Sequence, residues 1–142
     1  HILEKILRFM QKQGKDPKNS KLFILGLAFK GEPETSDVRD APAVSLATQA
    51  RGKWRQIVAY DAVVQDADFK RLEIGRVGRE EGFAGADVAV IMNNHQSLKL
   101  IDLFKVLPTM KAPAFFLDGW KLFSRRDIES VPGISYGNLS QG

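Results

Sequence analysis

Four residues with chemically useful side chains fall just after apolar runs of strand length, and a fifth stands just ahead of a helix. Lys30 closes the segment Gly26-Leu27-Ala28-Phe29-Lys30-Gly31. A cation at a strand end suits phosphate or carboxylate, although a surface lysine in a connecting loop has the same pattern. Gly26 permits close backbone approach or a positive φ. Arg39 stands between Asp37 and Asp40, just ahead of a helix start, where anions are favoured. An ion pair with those neighbours is the simpler role. Asp61 ends a second apolar run, at the place where a dinucleotide fold binds ribose. No G-x-G-x-x-G accompanies it, so a turn or capping role is favoured. His95 follows Asn93-Asn94 and could move protons or serve as a hydrogen-bonded structural histidine. The other histidine is His1, so no metal site is expected. Trp120, in Asp118-Gly119-Trp120-Lys121, could stack on a base or sugar ring, or close the sheet end as core. The loop after Gly26 is not a Walker loop, because no Gly-Lys-Ser/Thr follows.

The rest of the composition narrows the chemistry further. A chain of 142 residues fits one domain and can bury a sizeable core. It has no cysteine, which excludes disulfides, thiolate metal sites and a cysteine nucleophile within it. The net charge of +4 comes from 21 basic and 17 acidic residues, scattered among one another. That balance favours anionic ligands slightly and is no nucleic-acid signature. No apolar run approaches the ~20 residues that span a bilayer, and no secretory leader is visible. A cytoplasmic chain without membrane or nucleic-acid partners is expected.

The elements that must position these residues follow from periodicity. Residues 2–13 predict a helix, with Ile2, Leu3, Ile6, Leu7, Phe9 and Met10 in an apolar stripe. It begins without a lead-in, as a cut end would, and Gly14 and Pro17 stop it. Strands are predicted at 21–26, 56–61, 87–93 and 112–119, with short ones at 75–78 and 134–137. Asp40 is the predicted cap of a helix over 41–51. Ser97 is the predicted cap of a helix carrying Leu98, Ile101, Leu103, Phe104 and Leu107, and Ser124 that of a short last helix. Short helices are also expected at 66–73 and 80–86. Apolar strands alternating with helices imply an α/β fold. The expected architecture is a doubly wound, mostly parallel, Rossmann-like sheet with helices on both faces, preceded by the first helix. Ligands of such sheets sit at the carboxyl ends of the strands, where Lys30, Asp61, His95 and Trp120 lie.

Longer motifs add a family. Gly26-Leu27-Ala28-Phe29-Lys30, a short acidic loop, and Asp37-Val38-Arg39-Asp40-Ala41-Pro42-Ala43 resemble the UDP-glucose/GDP-mannose dehydrogenase family. The similarity is to the start of its C-terminal, UDP-binding domain. Tyr60-Asp61, Gly85-Ala86-Asp87-Val88-Ala89-Val90-Ile91 and Asp118-Gly119 resemble its later strands, in the right order. The likeness covers about residues 15–137. It implies that residues 1–20 are the end of a central linker helix plus a linker, and that 21–142 form the UDP-sugar-binding domain.

The resemblance also implies roles. The whole enzyme of that family oxidises a sugar C6 alcohol to a carboxylate in two NAD-dependent steps. NAD is bound mainly by an N-terminal dinucleotide-binding domain, which would be a partner of this one, and a cysteine there is the nucleophile. By position, Phe29 and Lys30 would contact the UDP-sugar substrate and Arg39 would reach the NAD. Trp120 stands where many members carry Arg, and could stack on uracil. No catalytic residue falls in this chain, so it is expected to be inactive alone. The loop between Lys30 and Arg39 is longer than the family's usual one. A homodimer through the first helix is also expected. The competing class is a non-catalytic nucleotide-binding or regulatory α/β module. A receiver-type signalling domain is disfavoured, since no acidic pair ends the first strand.

Overall fold

The computed structural model describes residues 1–31 and 33–139. Six strands form one sheet: β1 (Lys21–Leu25), β2 (Gln56–Tyr60), β3 (Gly75–Arg76), β4 (Val88–Ile91), β5 (Ala114–Asp118) and β6 (Ile134–Asn138). Their order is β3-β2-β1-β4-β5-β6 and every pairing is parallel. This is the doubly wound order, whose topological switch point lies between β1 and β4. β1, β4 and β5 are buried at every position, which explains their continuous apolar runs.

Helices cover both faces. On one lie α1 (Ile2–Lys12), α2 (Pro42–Ala50) and α3 (Asp66–Leu72). Ile6, Met10, Leu46, Ala47 and Phe69 pack there against Leu22, Ile24, Val88 and Val90. On the other lie α4 (Gln96–Lys99), α5 (Leu103–Val106) and α6 (Arg125–Glu129). Leu98, Leu103 and Ile128 pack there with Phe23, Phe83 and Phe116. Helices switch faces where the chain reverses its direction of travel across the sheet, as right-handed crossovers require. Among the described residues no helix is long and apolar enough to cross a membrane.

The first helix is tied to the sheet. Phe9 stacks on Phe115 of β5, centroids 4.8 Å apart and planes 15° off parallel. Such a pair contributes about 0.5–1.5 kcal/mol beyond its area burial. Just past the helix, the Lys15 ammonium meets the buried Asp87 carboxylate at 2.6 Å and donates to the carbonyls of Lys111 and Pro113. The other Asp87 oxygen accepts from Lys21 N–H at 2.8 Å. The apolar stripe requires a covering surface without saying which; the ion pair, between residues 72 apart, left no local signal.

Two capping expectations are corrected. Asp40 does not cap α2; it sits at φ +55 and Ala41 is the N-cap. Pro42 takes the first helical position, where its missing N–H costs nothing. Ser97 does not cap a long helix either. His95 is the N-cap of α4, its Nδ1 accepting from Ser97 N–H. The expected single helix is two short ones, broken between Leu100 and Asp102. That break lets Ile101 and Leu103 both turn inward, leaving Leu100 and Phe104 exposed. Ser124 caps α6 as expected, accepting from Asp127 N–H at 3.0 Å.

One buried carboxylate holds the strand ends together. Asp61, at the end of β2, accepts from Leu27 N–H at 2.8 Å and Ala28 N–H at 2.9 Å with one oxygen. The other accepts from Val63 N–H at 2.8 Å and Val64 N–H at 3.0 Å. Only a carboxylate offers acceptors in both directions. In Asp61→Asn the amide NH2 must face backbone donors, which should cost roughly 2–4 kcal/mol and lower Tm by roughly 5–10 °C. Thermal unfolding checks this, with Leu100→Ser, on exposed surface, as a near-neutral control. An unchanged Tm in Asp61→Asn would contradict the role assigned to its carboxylate.

Candidate functional site

The switch-point crevice is not open. Asn93 fills it, its amide lying within 3.3 Å of Ala28 O and 3.4 Å of the Asp61 carboxylate. Gly26, at φ +97, makes room: a Cβ there would lie 2.5 Å from the Asn93 side-chain carbon. Asp61 therefore supports backbone, as its turn reading held, and faces no ribose site. His95 is likewise engaged. Its Nδ1 caps α4, so the network places the proton on Nε2, which meets the Glu34 carboxylate. Among the described residues no cluster of three metal-ligating side chains occurs.

A pocket of about 250 Å³ opens beside the switch point, over the ends of β1, β4 and β5. Its floor is Ile91, Met92 and Gly119. Gly119 must be glycine, because a Cβ would lie 2.4 Å from Ile91 O. Phe29 and Lys30 form one wall and Trp120 stands on the β5 side. Ile2, Pro42 and Leu139 complete the rim. Three of the four residues expected to bind ligands thus share one concave surface. Both rings are strongly exposed for large aromatics, Phe29 by 51% and Trp120 by 43%. Lys30 is half-buried, and among the described residues its ammonium makes no hydrogen bond or ion pair.

The fourth residue lies elsewhere. Arg39 does not line this pocket; it is exposed and grips Asp37 with Nε–Oδ1 and Nη2–Oδ2 contacts of 3.0 Å each. These hydrogen bonds hold the Asp37 carboxyl down to about 2. Asp37 also closes the loop, its carbonyl accepting from Phe29 N–H at 2.9 Å. The neighbour-pair role for Arg39 is thus present in the structure.

The arrangement offers two ring faces, an apolar floor and one uncompensated cation. It can hold a planar apolar ring with an anionic group beyond it. The volume falls below the usual range for whole-ligand sites, so the pocket would bury part of a larger molecule. Sequence reasoning missed Ile91, Met92, Pro42 and Leu139. It looked past the strand ends to Asn93–His95, of which Asn93 fills the crevice and His95 caps α4. The signal for Ile91 and Met92 was their place as the last apolar residues before Asn93.

Comparison with known proteins identifies the architecture. A model of the UDP-glucose/GDP-mannose dehydrogenase family, UDP binding domain, matches residues 23–125. The UDP-glucose 6-dehydrogenase of Rhizobium meliloti (strain 1021) is 28% identical over 130 residues, 90% of this chain and 29% of that protein. UDP-glucose 6-dehydrogenase TuaD of Bacillus subtilis (strain 168) is 29% identical over 144 residues, 99% of this chain and 30% of its own. The chain therefore spans under a third of the length of these curated relatives. An NDP-N-acetyl-D-galactosaminuronic acid dehydrogenase from Methanosarcina mazei Go1 superposes with a TM-score of 0.81 at 20% identity, over 98% of this chain and 28% of that one. The motif run from Gly26 to Ala43, the 3-2-1-4-5-6 parallel sheet and a family match over most of the chain lead to one assignment: the chain belongs to the UDP-glucose/GDP-mannose dehydrogenase family and carries its UDP binding domain.

Proposed function

We propose that this chain binds the nucleotide portion of a UDP-sugar, as the C-terminal domain of an NAD-dependent UDP-sugar 6-dehydrogenase. The observation that carries the reading is Lys30, an ammonium without a partner among the described residues, set beside two half-exposed aromatic rings. Uracil would lie against Phe29 or Trp120 over the Ile91–Gly119 floor. The diphosphate would lie over Lys30, whose charge-assisted hydrogen bonds are stronger than neutral ones. The names of the curated relatives support UDP-glucose as one such ligand.

Residues 21–142 would be the UDP-sugar-binding domain, and residues 1–20 the end of a central helix and its linker. The partner is an N-terminal dinucleotide-binding domain, and α1 would also serve a homodimer. The switch point here does not fit NAD, because Asn93 and Asp61 fill it. NAD, which accepts hydride when bound, is thus assigned mainly to the partner domain. Arg39 would reach it across the cleft, exchanging its bond to Asp37 for the cofactor. This chain's own work is to bind and orient the nucleotide. It has no cysteine to attack a carbonyl, so a mixture of UDP-glucose, UDP-N-acetylmannosamine and NAD should yield no NADH with this chain alone. Turnover would contradict the assignment of catalysis to a partner domain. Binding of UDP with no role in a dehydrogenase would favour the regulatory-module reading.

Calorimetric titration with UDP tests the site itself. Lys30→Ala should weaken binding by roughly tenfold or more through loss of a charge-assisted contact. Trp120→Ala should do so by a similar factor through loss of stacking, worth about 1–3 kcal/mol per base. Unchanged affinity in both variants would remove these residues from the site. The Asp37–Arg39 pair has its own readout. In an NMR titration Asp37 should protonate near pH 2, and Arg39→Ala should return it to the ordinary range near ~3.9. Because the folded-state pKa is depressed, the pair is intact at neutral pH and is lost as pH falls through that window. An Asp37 midpoint unmoved by Arg39→Ala would contradict the pairing.

A further inference from the structure

We propose that Asp118 and Tyr136 are positioning residues that hold Trp120 in the pocket; the proposal rests on the nucleotide site inferred above. β5 ends in Asp118, which has no exposed surface. One carboxylate oxygen accepts from Leu122 N–H at 3.0 Å and the other from Phe123 N–H at 2.8 Å. Both donors lie beyond Trp120 in sequence, so residues 119–121 are cinched into a tight loop. The loop is fastened at its start too, where Gly119 N–H donates to Ile91 O at 3.1 Å. Its last residue, Lys121, takes φ +52, a conformation that persists in a lysine only where the surroundings impose it. Trp120 is the residue of this loop whose ring lines the pocket.

Asp118 does not serve the obvious structural purpose. α6 begins just beyond it, but Ser124 caps that helix with its own side chain. Nor does Asp118 line the pocket; any effect on a ligand must pass through the loop. Tyr136 of β6 secures the carboxylate from behind, its hydroxyl donating to Asp118 at 3.2 Å, with Phe123 O at 3.4 Å. Tyr136 is itself held: the Arg125 guanidinium lies 5.1 Å over its ring and donates to its carbonyl. Burial pushes the phenol pKa up, which keeps the hydroxyl a donor. A buried acid, a buried phenol and a left-handed lysine thus converge on one loop that presents one exposed ring.

The test separates ring position from fold stability. The chain has two tryptophans, so Trp54→Phe leaves Trp120 as the only indole emitter. In that background, well below Tm, Asp118→Asn and Tyr136→Phe should lower Trp120 anisotropy and shift its emission to the red. UDP affinity should fall by roughly tenfold in Asp118→Asn, on the scale of a small misplacement of a binding group, and less in Tyr136→Phe. Should Asp118→Asn not fold, Tyr136→Phe decides, since it removes one hydroxyl. Unchanged anisotropy and UDP affinity in Tyr136→Phe, with only Tm lowered, would overturn the proposal. Failure of the nucleotide site would look different: Trp120→Ala would leave UDP affinity unchanged, whatever the anisotropy of the other variants.

Discussion

The structure depends on a carboxylate that is spent on backbone. Asp61 takes four main-chain N–H bonds, two from the segment after β1 and two from its own turn. Parallel strands leave their carboxyl-end loops without ladder partners, and a buried amide without an acceptor is costly. Asp61 resolves that for two loops at once. Asn93 adds to the same cluster, and Gly26 admits it. The result is a closed switch point. In a doubly wound sheet that crevice is the default ligand site, so closing it moves the usable concavity towards β5. The chain after β1 leaves the Asp61 cluster at Ala28 and immediately presents Phe29 and Lys30.

A second carboxylate, Asp118 of β5, repeats the device three strands away from β2. It too is fully buried and accepts backbone N–H groups from the residues that follow its strand. Between the two anchored loops lies the pocket, with aromatic rings on both sides and a lysine on one. The chemical character of the site follows from what the anchors leave unsatisfied. Other polar and charged side chains near the strand ends have partners: Arg39 has Asp37, Arg79 has Glu80, and the His95 ring has Glu34. Lys30 stands apart from them, and an ammonium beside apolar surface favours an anion. That is the electrostatic reason a nucleoside diphosphate, with a ring at one end and charge at the other, suits this surface.

Much of this was legible in the sequence. Continuous apolar runs marked β1, β4 and β5 because burial on both faces removes the alternation. The central strands and the α/β class came from those runs, and the family from the Gly26–Ala43 motif and the later strand motifs. Lys30 and Trp120 stand out because strand ends are where such sheets bind, Phe29 because the family resemblance implies it, and the structure sets the three on one pocket. Three features were not legible, for separate physical reasons. Asp40 looked like a cap because Asp-x-Pro is a common helix start, but a left-handed backbone at Asp40 passed the N-cap to Ala41. The helix expected after Ser97 reads as one apolar stripe, yet the chain breaks at 100–102, which buries both Ile101 and Leu103. The Lys15–Asp87 pair joins residues distant in sequence, and no local pattern encodes a tertiary ion pair.

The central claim is that the pocket between Phe29 and Trp120 receives a uracil ring, with the diphosphate at Lys30. A crystal structure of this chain with UDP tests it most directly. The account predicts density for the base over Ile91, Met92 and Gly119, flanked by one or both rings, and phosphate oxygens within hydrogen-bond reach of the Lys30 ammonium. UDP bound instead at the Asn93-filled switch point, or in the separate cleft lined by Leu3 of α1 and Ser45, Leu46 and Gln49 of α2, would contradict it.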